Sequence, residues 1–120
     1  MAKILVVDDV QTDREILGKV VVSMGHQPIY ATDGKQAVSA ARETQPALIL
    51  LDVVMPEMDG FKVCRTLKAD PLTASIPVVL VTSKGGESDV FWGKRQGADD
   101  HVGKPYTATA METVIRRHAR

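Results

Sequence analysis

Four stretches of this sequence end in side chains that could do chemistry together. Asp8 and Asp9 follow Ile4-Leu5-Val6-Val7, Asp52 follows Leu48-Ile49-Leu50-Leu51, Thr82 follows Val78-Val79-Leu80-Val81, and Lys104 follows His101-Val102-Gly103. If the first two of these runs lie side by side, three carboxylates converge, and like charges that close drive one another toward protonation. A hard divalent cation relieves the repulsion. Mg2+ is suited to it, taking carboxylate oxygen, keeping water and needing few protein ligands. With the Lys104 ammonium and the Thr82 hydroxyl, the set comprises a carboxylate nucleophile, a metal, a cation and a hydroxyl donor. Such a set fits a transferring phosphoryl group, whose charge spreads over three oxygens.

Taken singly, each residue also has a plain structural reading. Asp9 could cap a helix, Asp52 could serve a turn, Thr82 could close a strand, and Lys104 could sit in solvent. Independent structural needs rarely put all four at the ends of strands, so the joint pattern favours chemistry.

The elements that must position these residues read as five strand–helix repeats. Ile4–Val7 is apolar without alternation, the mark of a strand buried on both faces of a parallel sheet. Thr12-Asp13-Arg14-Glu15 has the form of a capping box, opening a helix with Ile16, Leu17, Val20, Val21 and Met24 on one face and a stop at Gly25. Gln27–Ala31 is a weaker strand, and Asp33 caps a second helix over roughly 34–43, with Pro46 beyond its end. Ala47–Asp52 is the third strand. A loop over 53–58 leads to Asp59-Gly60 and a third helix bearing Phe61, Cys64 and Leu67. Ile76–Thr82 is the fourth strand, with Pro77 held to its start because it lacks an amide donor. Gly85-Gly86 breaks the chain before a helix over roughly 87–96, stopped at Gly97; the glycine pair is expected to loosen that loop. Asp100–Gly103 is a short fifth strand, and a last helix over about 107–118 presents Met111, Val114 and Ile115.

Strict alternation of strands and helices calls for an α/β sandwich around a parallel sheet, with right-handed crossovers. Ligands then bind at the carboxyl ends of the strands. Those ends are where the polar residues collect.

Composition excludes much else. With 120 residues the expectation is one domain, 1–120, and 44% hydrophobic residues supply a core. Fifteen basic and fifteen acidic side chains give zero net charge, which argues against nucleic acid or an anionic membrane as partner. One cysteine rules out a disulfide scaffold. The apolar runs are too short to span a membrane and no signal peptide precedes them, so a cytoplasmic chain is expected.

Asp8-Asp9, Asp52, Met55-Pro56-x-Met58-Asp59-Gly60, Thr82 and Lys104-Pro105 together resemble the response-regulator receiver domains of two-component signalling. The match runs over essentially the whole chain. The resemblance implies a doubly wound five-stranded sheet of order 2-1-3-4-5 with five helices, as in the flavodoxin and CheY folds. It implies that Asp52 accepts phosphate from a histidine kinase, that Asp9 ligates Mg2+ directly and Asp8 largely through water, and that the backbone carbonyl of Val54 is a further ligand. Thr82 and Lys104 would bind phosphoryl oxygens, and Pro105 would follow a cis peptide. The stretch from Trp92 to Asp99 is also similar to small regulators of pilus-driven twitching motility.

Three positions depart from the family pattern. His101 stands where an aromatic switch residue is usual. Val54 and Lys84 stand where side chains modulate access of hydrolytic water, so phosphate lifetime is in question. Cys64 reads as inert packing, Trp92 as buried, and His26 and His118 as surface residues.

The expected function is a stand-alone, self-phosphorylating signalling module, not an enzyme acting on other substrates, that binds a target protein as a monomer or weak dimer. The alternative is a phosphate sink that drains a kinase and has no target. A haloacid-dehalogenase phosphatase would need an Asp two residues after its nucleophile, where Val10 follows Asp8. Neither a P-loop nor a dinucleotide-binding glycine motif is present, and Val10-Gln11-Thr12 is no flavin phosphate loop.

Overall fold

Five parallel strands alternate with five helices in the computed structural model, which describes residues 2–55, 59–83 and 87–119. Pro56 to Met58, Lys84 and the Gly85-Gly86 break lie outside the described residues. The elements are β1 Lys3–Val7, α1 Gln11–Ser23, β2 Gln27–Ala31, α2 Gly34–Thr44, β3 Leu48–Asp52, α3 Gly60–Ala69, β4 Val78–Thr82, α4 Glu87–Arg95, β5 Asp100–Gly103 and α5 Ala108–His118. The strand order is β2-β1-β3-β4-β5. β1 and β3 are neighbours, with Val7 opposite Leu51, so their carboxyl ends meet.

The apolar runs work as expected. Every residue of β3 and β4 is buried, and so are Ile4 to Val7 of β1. Alternate residues face opposite layers. Leu5, Val7, Ile49 and Leu51 pack with Ala37, Ala41, Val63 and Leu67 of α2 and α3. Ile4, Val6, Leu48 and Leu50 pack with Leu17, Val21, Met111 and Ile115 of α1 and α5. Cys64 is fully buried in the first cluster, and burial raises its thiol pKa to about 11, so it packs and does not react.

Local signals set most helix ends. Asp33 accepts the Gln36 amide at 2.8 Å, and Gln36 reaches back to the Thr32 amide at 2.9 Å, closing a reciprocal cap. Asp59 accepts from Lys62 at 2.9 Å and Thr107 from Ala110 at 3.1 Å. The fourth strand is shorter than the expected 76–82, and Pro77 lies just before it. The strand begins at Val78, while the Pro77 carbonyl accepts the Ile49 amide.

Five local expectations are corrected. Thr12 does not cap α1: the helix starts at Gln11 with Val10 as its N-cap, and the Arg14 amide donates to the Val10 carbonyl. The Asp8 carboxylate fixes this earlier start by accepting the Val10 amide at 2.9 Å. Ile16 consequently turns to solvent, half-exposed. Trp92 is exposed, while the neighbouring Gly93 is buried against β4, where an added Cβ would lie 2.7 Å from Leu80 Cδ1. His118 and His26 are not free surface groups. The His118 ring lies 2.9 Å from Asp100, and His26 Nδ1 accepts the Ala2 amide at 3.0 Å.

Gly60 packs on the site's own backbone. Its amide donates to the Val53 carbonyl at 2.8 Å, and a Cβ there would collide with the Asp52 carbonyl oxygen and Val53 Cα. Gly60→Ala should therefore lower stability by about 1–3 kcal/mol through overpacking. Gly103→Ala, with open space at its Cβ, should stay within about 0.5 kcal/mol. Urea midpoints of the two variants make the comparison, and equal midpoints would show that the close approach is not rigid.

Candidate functional site

At the carboxyl edge of the sheet, β1 delivers Asp8 and Asp9 and β3 delivers Asp52. One carboxylate oxygen from each lies within 4.8 Å of the others. Asp8 and Asp52 are buried while Asp9 is exposed, so the group opens to solvent on one side. Thr82 ends β4, buried, one register position beyond Val81, the partner of Asp52. Lys104 follows β5, tied to that edge by its backbone N–H, which donates to the Thr82 carbonyl at 2.9 Å. The peptide between Lys104 and Pro105 is cis.

Lys104 organises the cluster. Its ammonium donates to Asp8 at 2.9 Å and to Asp13 at 3.3 Å, and lies 3.7 Å from Asp52 Oδ1. Burial alone would lower its pKa, but the Asp8 hydrogen bond and the charges of Asp52, Asp8 and Asp13 override that and hold it above the ordinary value. Asp52 goes the other way. Burial, then the Asp8 charge, push it up to about 6 against the pull of Lys104 and the Val54 amide, with Asp9 adding to the rise. One ammonium does not neutralise three carboxylates, and Asp52 carries the imbalance.

That imbalance, with oxygen-only donors and an open side, fits Mg2+. Asp8, Asp9 and Asp52 are the side chains that could hold it.

The scan of known families matches the chain over residues 4–116 to the response regulator receiver domain. The chain belongs to that family. Protein PilH of Pseudomonas aeruginosa is 45% identical over 115 residues, covering 95% of each chain. Response regulator PleD of Caulobacter vibrioides is also 45% identical, over 119 residues, but this chain spans only 26% of it. The solved structure of chemotaxis protein CheY4 of Vibrio cholerae superposes with a TM-score of 0.93 at 26% identity, covering 98% of both chains. The receiver resemblance, the likeness to twitching-motility regulators and the 2-1-3-4-5 order are all borne out. As a receiver domain of two-component signalling, the chain is of a kind phosphorylated by histidine kinases and binding Mg2+ at an acidic pocket. No helix among the described residues is long and apolar enough to cross a membrane.

Two residues near this receiver site escaped the sequence pattern. Asp13 sits one turn into α1 and shares Lys104 with Asp8, while Arg14 donates to the Asp8 carbonyl at 2.8 Å. In the capping-box pattern they are only the two intervening positions. The usable signal was their spacing: the fifth and sixth residues after Asp8 return to the sheet edge once the helix starts at Gln11. His101 lies apart from the carboxylates, half-buried on β5, with its Nε2 enclosed and without a partner among the described residues.

Proposed function

We propose that this receiver is a phospho-switched signalling module whose phosphoacceptor is Asp52. The observation that carries the reading is the Lys104 ammonium, held by Asp8 and Asp13 within 3.7 Å of a buried Asp52 carboxylate. An Asp52 oxygen attacks phosphorus, the phosphorus–nitrogen bond of a kinase phosphohistidine breaks, and the departing imidazole takes a proton. Lys104 and Thr82 receive oxygens of the transferred group. Asp9, Asp8 and the Val54 carbonyl, with Asp52, would hold Mg2+, which supplies positive charge to the incoming dianion. His101, in the place usual for an aromatic, would carry the change toward α4 and α5.

Borohydride trapping tests the acceptor directly. An acyl phosphate on Asp52 is reduced to homoserine, which mass spectrometry locates; the label on any other residue would sink the assignment.

Similarity to PilH along 95% of both chains supports the likeness to pilus-motility regulators. Capture from native cells with beryllofluoride-treated and untreated protein separates signalling from a phosphate sink. A partner seen only with treated protein supports signalling. The same partners in both arms support the sink. His101→Phe should change the yield of that partner at matched loading, and an unchanged yield would remove His101 from the switch.

A further inference from the structure

The fold leaves an aromatic pair on α4 unused. Phe91 and Trp92 are 60% and 49% exposed, while the neighbouring Gly93 is buried against Leu80 of β4. Trp92 lines a groove of about 210 Å³ between α3 and α4, together with Phe61, Lys62, Arg65 and Gln96. Asp59, at the same groove, spends its carboxylate on the Lys62 amide at the start of α3. Arg95 lies over the Phe91 ring, 5.8 Å from its centroid. Lys62, Arg65 and Arg95 are exposed, and among the described residues none pairs with a carboxylate. Among the described residues, these three cations outnumber the one carboxylate, Asp59, at this aromatic floor.

Exposed Trp with neighbouring Arg is the composition of interface hot spots. The groove is smaller than the ~300 Å³ at which small-molecule sites begin, so it suits one side chain of a larger partner. Its concave shape and few cations argue against a membrane or nucleic acid, which call for a broad basic face. It also lies on the opposite side of α4 from Lys94, which lines a separate groove with His101 and His118.

We propose that the α3–α4 groove is a docking surface for an acidic peptide segment of a partner protein, anchored by one bulky apolar side chain. The anchor covers Trp92 and Phe61 while flanking carboxylates meet Lys62, Arg65 and Arg95. Nothing in this arrangement requires phosphorylation of Asp52.

Trp92 is the chain's only tryptophan, so its emission reports on this groove alone. The probe is a short, end-capped Asp/Glu peptide with one central Leu, and the control replaces its acids by Lys. The acidic peptide should shift Trp92 emission to the blue saturably and the control should not. Arg65→Glu with Arg95→Glu should weaken the acidic peptide at least about tenfold, whereas Lys94→Glu should change it less than about twofold. No shift, equal shifts with both peptides, or indifference to the double substitution would overturn the proposal. So would a shift produced only by phosphatidylserine vesicles or by a single-stranded oligonucleotide. Self-association in sedimentation that the double substitution abolishes would assign the groove to a second copy of the chain and overturn it likewise.

Discussion

Incubated with acetyl phosphate and Mg2+, the protein should acquire one phosphate labile to alkali and hydroxylamine, and chelator or Asp52→Asn should each remove it. The electrostatics set the size of the effect. A phosphoryl dianion approaching Asp8, Asp9 and Asp52 meets three carboxylates against one nearby ammonium, Lys104. Losing one preorganised charge-stabilising group commonly costs about 10²–10³ in rate. Chelation should therefore slow labelling by at least about 100-fold, and Asp52→Asn, lacking a nucleophile, should leave no label. Asp33→Asn is the matched control, because an amide still caps α2 and Asp33 is not one of the three clustered carboxylates. Label retained in Asp52→Asn, or unchanged by chelator, would place the acceptor or the charge compensation elsewhere.

The sequence made this site legible because its residues follow directly from strands that can hardly be misread. Ile4–Val7 and Leu48–Leu51 are apolar at every position, so they must be buried on both faces, and the polar residues after them must emerge at one rim. Adjacency of β1 and β3 came from family likeness, since nothing in the local pattern specifies which strands pair. What the pattern missed lay on helices, where one residue of register decides what a side chain faces. Asp8 takes the Val10 amide and starts α1 ahead of Thr12, and that shift turns Ile16 outward while bringing Asp13 to Lys104. Trp92 was misplaced for a related reason. Bulky apolar residues normally mark the buried face of a helix, but among the described residues of α4 the buried one is Gly93, which carries no hydropathy signal. His118 found a partly buried partner in Asp100 across 18 residues of chain, a contact no local rule reports.

Asp52→Asn should also make the metal-free protein more stable, with a gain that depends on pH. The Asp52 carboxyl is raised from 3.8 to about 6 in the folded chain, chiefly by burial and then by Asp8. The folded state thus holds the proton more tightly than the unfolded state. The stabilisation from protonation is complete below about pH 4 and is lost as pH rises through about 6. Above that pH the ionised Asp52 lowers stability by on the order of 2–3 kcal/mol. Asparagine removes the charge but also the attraction to Lys104, leaving a net gain of about 1–2 kcal/mol at pH 7. Asp9→Asn should gain less, because Asp9 is exposed and is the weakest of the influences on Asp52. At pH 4 wild-type Asp52 is itself neutral, so the advantage of Asp52→Asn should vanish. Saturating Mg2+ should reverse the order at pH 7, since a ligand that binds only the folded chain stabilises the protein with more carboxylates further. Thermal melts in chelator at pH 4 and pH 7, and with Mg2+ at pH 7, measure all three relations. An Asp52→Asn variant that melts at or below wild type in chelator at pH 7, or one whose advantage persists at pH 4, would mean that Asp52 does not carry the uncompensated charge of the cluster.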